Sequence, residues 1–154
     1  MKHTLLIITA LILIVGCSEP INFDELVEID GIFYTKDTNK PYSGKAVEYL
    51  ENGQKYYEVT FKDGKADGKV TEWHENGQKE LEATFKDGEY DGLWTAWDEN
   101  GQKREEGTFK DGIPDGKATG WYENGQKSGE ITYKNGAVIS EKCWDEDGNE
   151  IGCG

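Results

Sequence analysis

GKVTEWHENGQKELEATFKDGEYD, residues 68–91, holds a short run of strand-forming residues, a turn, a second run and a second turn. The pattern recurs every 24 residues: GKAVEYLENGQKYYEVTFKDGKAD at 44–67, GLWTAWDENGQKREEGTFKDGIPD at 92–115, and GKATGWYENGQKSGEITYKNGAVI at 116–139. A period between about 20 and 50 residues marks a repeat architecture in which each unit buries its apolar side against its neighbours. A partial fifth unit, SEKCWDEDGNEIGCG at 140–154, closes the chain one residue out of phase. Upstream, GIFYTKDTNKPYSG reads as a degenerate half-unit whose loop is two residues longer.

The runs are rich in Thr, Val, Trp, Tyr and Phe and are bounded by Asn-Gly or Asp-Gly, the pattern of antiparallel strands joined by hairpins. Helical periodicity is absent. The expected fold is all-β, an elongated single-layer antiparallel meander of repeated hairpins filling residues 31–154. A two-residue Asn-Gly turn would set Trp121 opposite Ser128 and point Ile131 and Tyr133 away from the tryptophan. A three-residue loop Glu123, Asn124, Gly125, with the glycine left-handed, sets Trp121 opposite Lys127 and Thr119 opposite Gly129 instead. The second register is preferred because it gathers the bulky residues on one face.

That face would carry Tyr49, Trp73, Trp97 and Trp121 together with Phe61, Phe85, Phe109 and Tyr133, with Val59, Ala83, Gly107 and Ile131 between them. An aromatic row of this kind reads as the core of a sheet poor in aliphatics, in preference to a platform for sugar rings. The other face would repeat Glu58, Glu82, Glu106 and Glu130 beside Thr60, Thr84, Thr108 and Thr132. This glutamate column is the candidate binding face.

The N-terminus carries a different signal. Lys2 precedes the apolar run LLIITALILIV at 5–15, which is shorter than a bilayer span and fits a signal-peptide core. Ile14, Val15, Gly16 and Cys17 resemble a bacterial lipobox, which implies cleavage after residue 16 and acylation, palmitate included, at Cys17. Residues 1–16 are then a lipoprotein signal peptide and 17–30 a lipidated tether. The expected location is exported and lipid-anchored, on the cell membrane or the outer membrane; Ser18 permits the latter.

The 154 residues include 31 Asp and Glu against 17 Lys and Arg, a formal net charge of −14. Such a surface repels nucleic acid and favours solubility or a basic partner. No catalytic set is present. His74 is the one histidine beyond the signal segment and stands where other units have Leu50, Asp98 and Tyr122. No Cys and His spacing suits zinc, DEDGNE at 145–150 lacks the rest of a calcium loop, and DGKADG at 63–68 has Lys65 where a ligand oxygen belongs. Carboxylates on an open sheet lack the cleft that separates an acid from a base. The expectation is a non-enzymatic chain with no cofactor and no metal. Cys143 and Cys153 flank the last turn on one face and are a candidate disulfide capping the array, although Cys143 opposite Ile151 leaves Cys153 diagonal.

The repeated aromatic, two intervening residues and Asn-Gly, then the second strand, Lys-Asp-Gly and Asp-Gly, and the lead-in Lys40, Pro41, Tyr42, Ser43, Gly44 resemble the bacterial MORN-repeat variant of the YwqK type. The resemblance covers about 31–151. The family label, together with the charge and the lipobox, leads to the expectation of a membrane-anchored, non-catalytic protein-binding module, of antitoxin or immunity type, neutralising a basic partner. The alternative is a structural envelope scaffold without a dedicated toxin.

Overall fold

The computed structural model describes residues 19–154. The expected signal peptide at 1–16 and the expected lipidation at Cys17 lie outside these residues. The strands are β1 (Ile21–Asn22), β2 (Leu26–Ile29), β3 (Ile32–Thr35), β4 (Gly44–Tyr49), β5 (Lys55–Lys62), β6 (Lys65–Trp73), β7 (Lys79–Lys86) and β8 (Glu89–Trp97). They continue as β9 (Lys103–Lys110), β10 (Ile113–Pro114), β11 (Gly116–Trp121), β12 (Lys127–Lys134), β13 (Ala137–Trp144) and β14 (Glu150–Ile151). From β4 to β14 the strands lie side by side in chain order in one antiparallel sheet, β10 extending the edge of β9 beside β11. β1 joins the other edge in parallel with β4, and β2 and β3 form a separate hairpin.

Two kinds of turn alternate along the sheet. In the Asn-Gly loops the glycines Gly53, Gly77, Gly101 and Gly125 have φ of 77° to 83°, and the loop closes through bonds such as Gly125 N–H to the Tyr122 carbonyl, 2.9 Å. This is the three-residue loop with a left-handed glycine. The Asp-Gly turns are the two-residue kind: Asp63 and Gly64, with φ of 49° and 80°, link the paired Lys62 and Lys65. Both central residues are left-handed, which matches the twist of the flanking strands.

The single aromatic face does not form. Trp121 pairs with Lys127 as expected, but the next pair is Gly120 with Gly129, so Thr119 meets Glu130 and not Gly129. Ser128 is a bulge, and the equivalent residues Tyr56, Glu80 and Arg104 are bulged in the other hairpins. One extra residue inverts the side-chain alternation of everything after it. Tyr49, Trp73, Trp97 and Trp121 therefore share a face with Glu58, Glu82, Glu106 and Glu130, while Phe61, Phe85, Phe109 and Tyr133 lie on the opposite face with Val59, Ala83, Gly107 and Ile131.

The core sits on the phenylalanine face of the N-terminal half. Leu26, Ala46, Val59, Phe61 and Val70 are buried together, with Ile21, Phe23 and Phe33 packed over them. Residues 21–29, placed in the tether by the sequence reading, are thus folded. Asn22 and Glu25 form a capping box around the short 3₁₀ turn Phe23–Glu25, which aims Phe23 at the sheet. Phe33 lies 4.8 Å from Phe61, centroid to centroid, and Phe23 lies 5.7 Å from both Phe33 and Tyr57. The Phe33 N–H donates to the Gly64 carbonyl at 2.8 Å, and a Cβ on Gly64 would meet Ile32 Cγ2 at 2.4 Å. Glycine is required there for the hairpin to close down on the turn.

Candidate protein-binding face

The repeated residues first hold the units to each other. The Asp87 N–H points to the Asp67 carboxylate at 3.4 Å, Asp111 to Asp91 at 3.5 Å and Asn135 to Asp115 at 2.9 Å, a full turn earlier in the array. Gly88, Gly112 and Gly136 donate to the carbonyls of Ala66, Tyr90 and Pro114 at 2.8 to 2.9 Å. On the Asn-Gly side the amides of Asn76 and Asn124 reach the carbonyls of Glu99 and Glu146 at 2.6 and 2.8 Å. His74 belongs to this set: its Nε2–H donates to the Trp97 carbonyl at 3.0 Å, as the Tyr122 hydroxyl does to Trp144 at 2.8 Å. Its Nδ1 lies 3.5 Å from Glu80. A histidine bonded in this way joins two repeats.

On the tryptophan face the glutamate column is enclosed in lysines. Glu58 meets Lys45 at 3.2 Å and Lys55 at 2.5 Å; Glu82 meets Lys69 at 2.8 Å and Lys79 at 2.5 Å; Glu130 meets Lys117 at 2.8 Å and Lys127 at 2.9 Å. The Lys55 and Lys45 ammonium groups lower the carboxyl of Glu58. Burial opposes the shift at Glu82, but Lys69 and Lys79 overcome it. Hydrogen bonds from Lys117 and Lys127 bring Glu130 to about 2. Glu106 pairs with Lys103, and Leu93 stands where the other units supply a second lysine.

The same lysines lie over the tryptophans. Lys55, Lys79, Lys103 and Lys127 stand 5.7 to 5.9 Å from the ring centroids of Trp73, Trp97, Trp121 and Trp144, within cation–π range. Thr71, Thr95 and Thr119 are buried on this face, with no second protein layer over it among the described residues. Their cover is the long side chains beside them. The glutamates are therefore arranged for internal pairing, and the acidic face read from the sequence is a ladder of alternating charge.

The phenylalanine face differs in its C-terminal half. Phe85, Tyr90 and Phe109 continue the aromatic row with centroids 4.3 and 5.3 Å apart. Beyond them opens a groove of about 450 Å³ whose sides include Trp94, Phe109, Ile131 and Tyr133 and whose floor includes Gly107, Ala118 and Gly129. At its far end Cys143 pairs with Ile151 in register and bonds Cys153 with a Cα separation of 5.4 Å. The diagonal partner is reached because the chain leaves the ladder after Ile151. Trp94 and the floor glycines do not recur from unit to unit. Their signal is departure from the columns: Val70 and Ala118 stand at the position of Trp94, and Val59, Ala83 and Ile131 at that of Gly107.

Among the described residues no three His, Cys, Asp or Glu side chains converge as a metal site. Residues 42–63, 66–87, 90–111 and 114–135 match the MORN repeat variant family. The chain belongs to this family. MORN repeats point to a repeat protein-binding module, of a family that is generally non-catalytic. The matched segments begin two residues before each repeat as read from the sequence, so each MORN unit takes in the lead-in to its first strand. No curated protein and no solved structure matches the chain.

Proposed function

We propose that this chain is an exported protein-binding module held at a bacterial membrane by lipid on Cys17, with the immunity-type role of neutralising a basic protein that reaches the envelope. The observation that carries it is the pairing of four MORN units with a net charge of −14 and a lipobox-like Ile14, Val15, Gly16, Cys17. With the glutamate column paired to lysines, the unpaired carboxylates of the turns and of the phenylalanine face supply the attraction for a cationic partner. The turn-to-turn ladders favour a second reading, a structural spacer of the envelope, because they stiffen the array without reference to any ligand.

Two measurements test these readings. Metabolic labelling with an alkynyl palmitate should mark the wild type and not Cys17→Ser, and only the wild type should sediment with membranes. Equal labelling removes the anchor. Binding to the product of an adjacent gene should be saturable and should weaken with added salt. A deletion strain that shows altered envelope mechanics and no change in sensitivity to that product supports the spacer.

A further inference from the structure

The phenylalanine face exists in two states within one molecule. In the N-terminal half, Phe23, Leu26 and Phe33 of the chain's own leading segment cover Val59, Phe61 and Val70. In the C-terminal half the equivalent surface is the groove beside Trp94. We infer that this groove is the docking site for an extended segment of a partner protein, one that inserts aromatic or aliphatic side chains and carries lysine or arginine beside them. The inference rests on the protein-binding reading above and adds the place and the chemistry of the contact.

The groove is hollow because side chains are missing, and the backbone does not require them to be. Neither Gly107 nor Gly129 has a left-handed φ. A Cβ on Gly107 would find its nearest neighbour, Ala118 Cβ, at 3.6 Å, and one on Gly129 would find the Lys142 carbonyl at 3.7 Å. Both are ordinary contacts, so larger residues fit, and earlier units have them: Val59 and Ala83 at the first position, Tyr57 and Leu81 at the second. An interior strand glycine with no conformational task leaves room for something to approach closely. Trp94 faces this space, whereas Trp73, Trp97, Trp121 and Trp144 lie on the other side of the sheet.

The leading segment shows how this face receives a covering chain. It brings two aromatic rings onto the phenylalanine row, and its Phe33 N–H takes the carbonyl of a turn glycine, Gly64. The corresponding carbonyls of Gly112 and Gly136 accept no such bond among the described residues. The charge of the covering chain must differ. Residues 21–35 contain Asp24, Glu25, Glu28 and Asp30, but the groove is bordered by Glu105 and Glu141, neither of which has an ion pair among the described residues. Like charges repel a copy of the leading segment and favour a cationic one.

The test uses the full mature chain and two labelled synthetic peptides, INFDELVEIDGIFYT and its form with Asp24, Glu25, Glu28 and Asp30 replaced by Lys, followed by fluorescence anisotropy. The lysine peptide should bind saturably and more tightly than the parent. Filling the floor with Gly107→Val and Gly129→Val should weaken it about tenfold or more while circular dichroism and the unfolding midpoint hold, and Glu105→Lys with Glu141→Lys should remove its advantage over the parent. No saturable binding, or binding that ignores the filled floor, overturns the site. If the filled variant still binds an adjacent-gene product as the wild type does, the site is wrong and the protein-binding reading stands. If the wild type binds neither, both fail. A dimer of the chain that the floor substitutions dissociate assigns the groove to a second copy and overturns the partner segment.

Discussion

Around Phe61 the apolar face of the sheet is roofed by Phe23 and Phe33, whereas around Phe109, one face and two units along, no protein layer stands above it among the described residues. β5 and β9, which carry the two phenylalanines, have the same length and the same bulge after the Asn-Gly loop. The difference shows that the repeat by itself builds a scaffold and leaves burial to what lies outside the repeat. At one end that is the segment 21–35; at the other it is left to an external chain.

The largest effect separating the two halves should come from truncating the aromatic row. Phe61→Ala, at a side chain only 4 % exposed, is expected to lose about 3–5 kcal/mol, and Phe109→Ala clearly less, read from urea unfolding midpoints. Equal losses would mean that the roof contributes nothing. Next, Cys153→Ser opens the bridge between residues separated by 10 positions and should lose up to about 2–3 kcal/mol, with faster amide exchange confined to β13 and β14. Spread of that exchange into β5 would show that the halves unfold as one.

A contrast within one hairpin comes third. Gly125 has φ of 81° and nothing within 4 Å of its missing Cβ, so Gly125→Ala should lose about 1–2 kcal/mol from conformation alone. Gly129→Ala, four residues on and not left-handed, should instead be neutral or gain up to about 1 kcal/mol. A fourth test uses pH. Glu130 falls to about 2 in the folded chain from an ordinary value of 4.5, through Lys117 and Lys127. Its contribution is present above pH 4.5 and is lost as pH falls toward 2, so the stability difference between wild type and Glu130→Gln should shrink across that interval. A difference that stays constant assigns the effect to packing. Smallest, Leu93→Lys restores the second lysine beside Glu106 and should gain a few tenths of a kcal/mol at this exposed site.

The period, the strands, the meander and the left-handed glycine of the Asn-Gly loop are legible in the sequence because each has a fixed chemical marker. The bulge after Lys127 is not. Its positions hold Tyr56, Glu80, Arg104 and Ser128, and nothing common to them announces an extra residue. That one omission moved the tryptophans to the wrong side and made the glutamates look free. The folding of 21–29 left a fainter trace, the Asn22 and Glu25 capping box ahead of Leu26, overlooked because the repeat begins later. The groove was visible only as exceptions to the columns, Trp94 where Val70 and Ala118 stand, Gly107 where Val59 stands.

The two turn ladders have a consequence for how such a chain changes length. Gly88, Gly112 and Gly136 each hand one backbone bond to the unit before, and Asn76 and Asn124 reach to the unit after, all with nearly the same spacing. Insertion or loss of one 24-residue block therefore leaves the glycine joint of each Asp-Gly turn with a matching carbonyl. At about 4.8 Å per strand, each block changes the span by roughly 10 Å. The roofed end and the bridged end keep their own structures while the distance between them is reset, so duplication within the gene acts as a ruler graduated in hairpins.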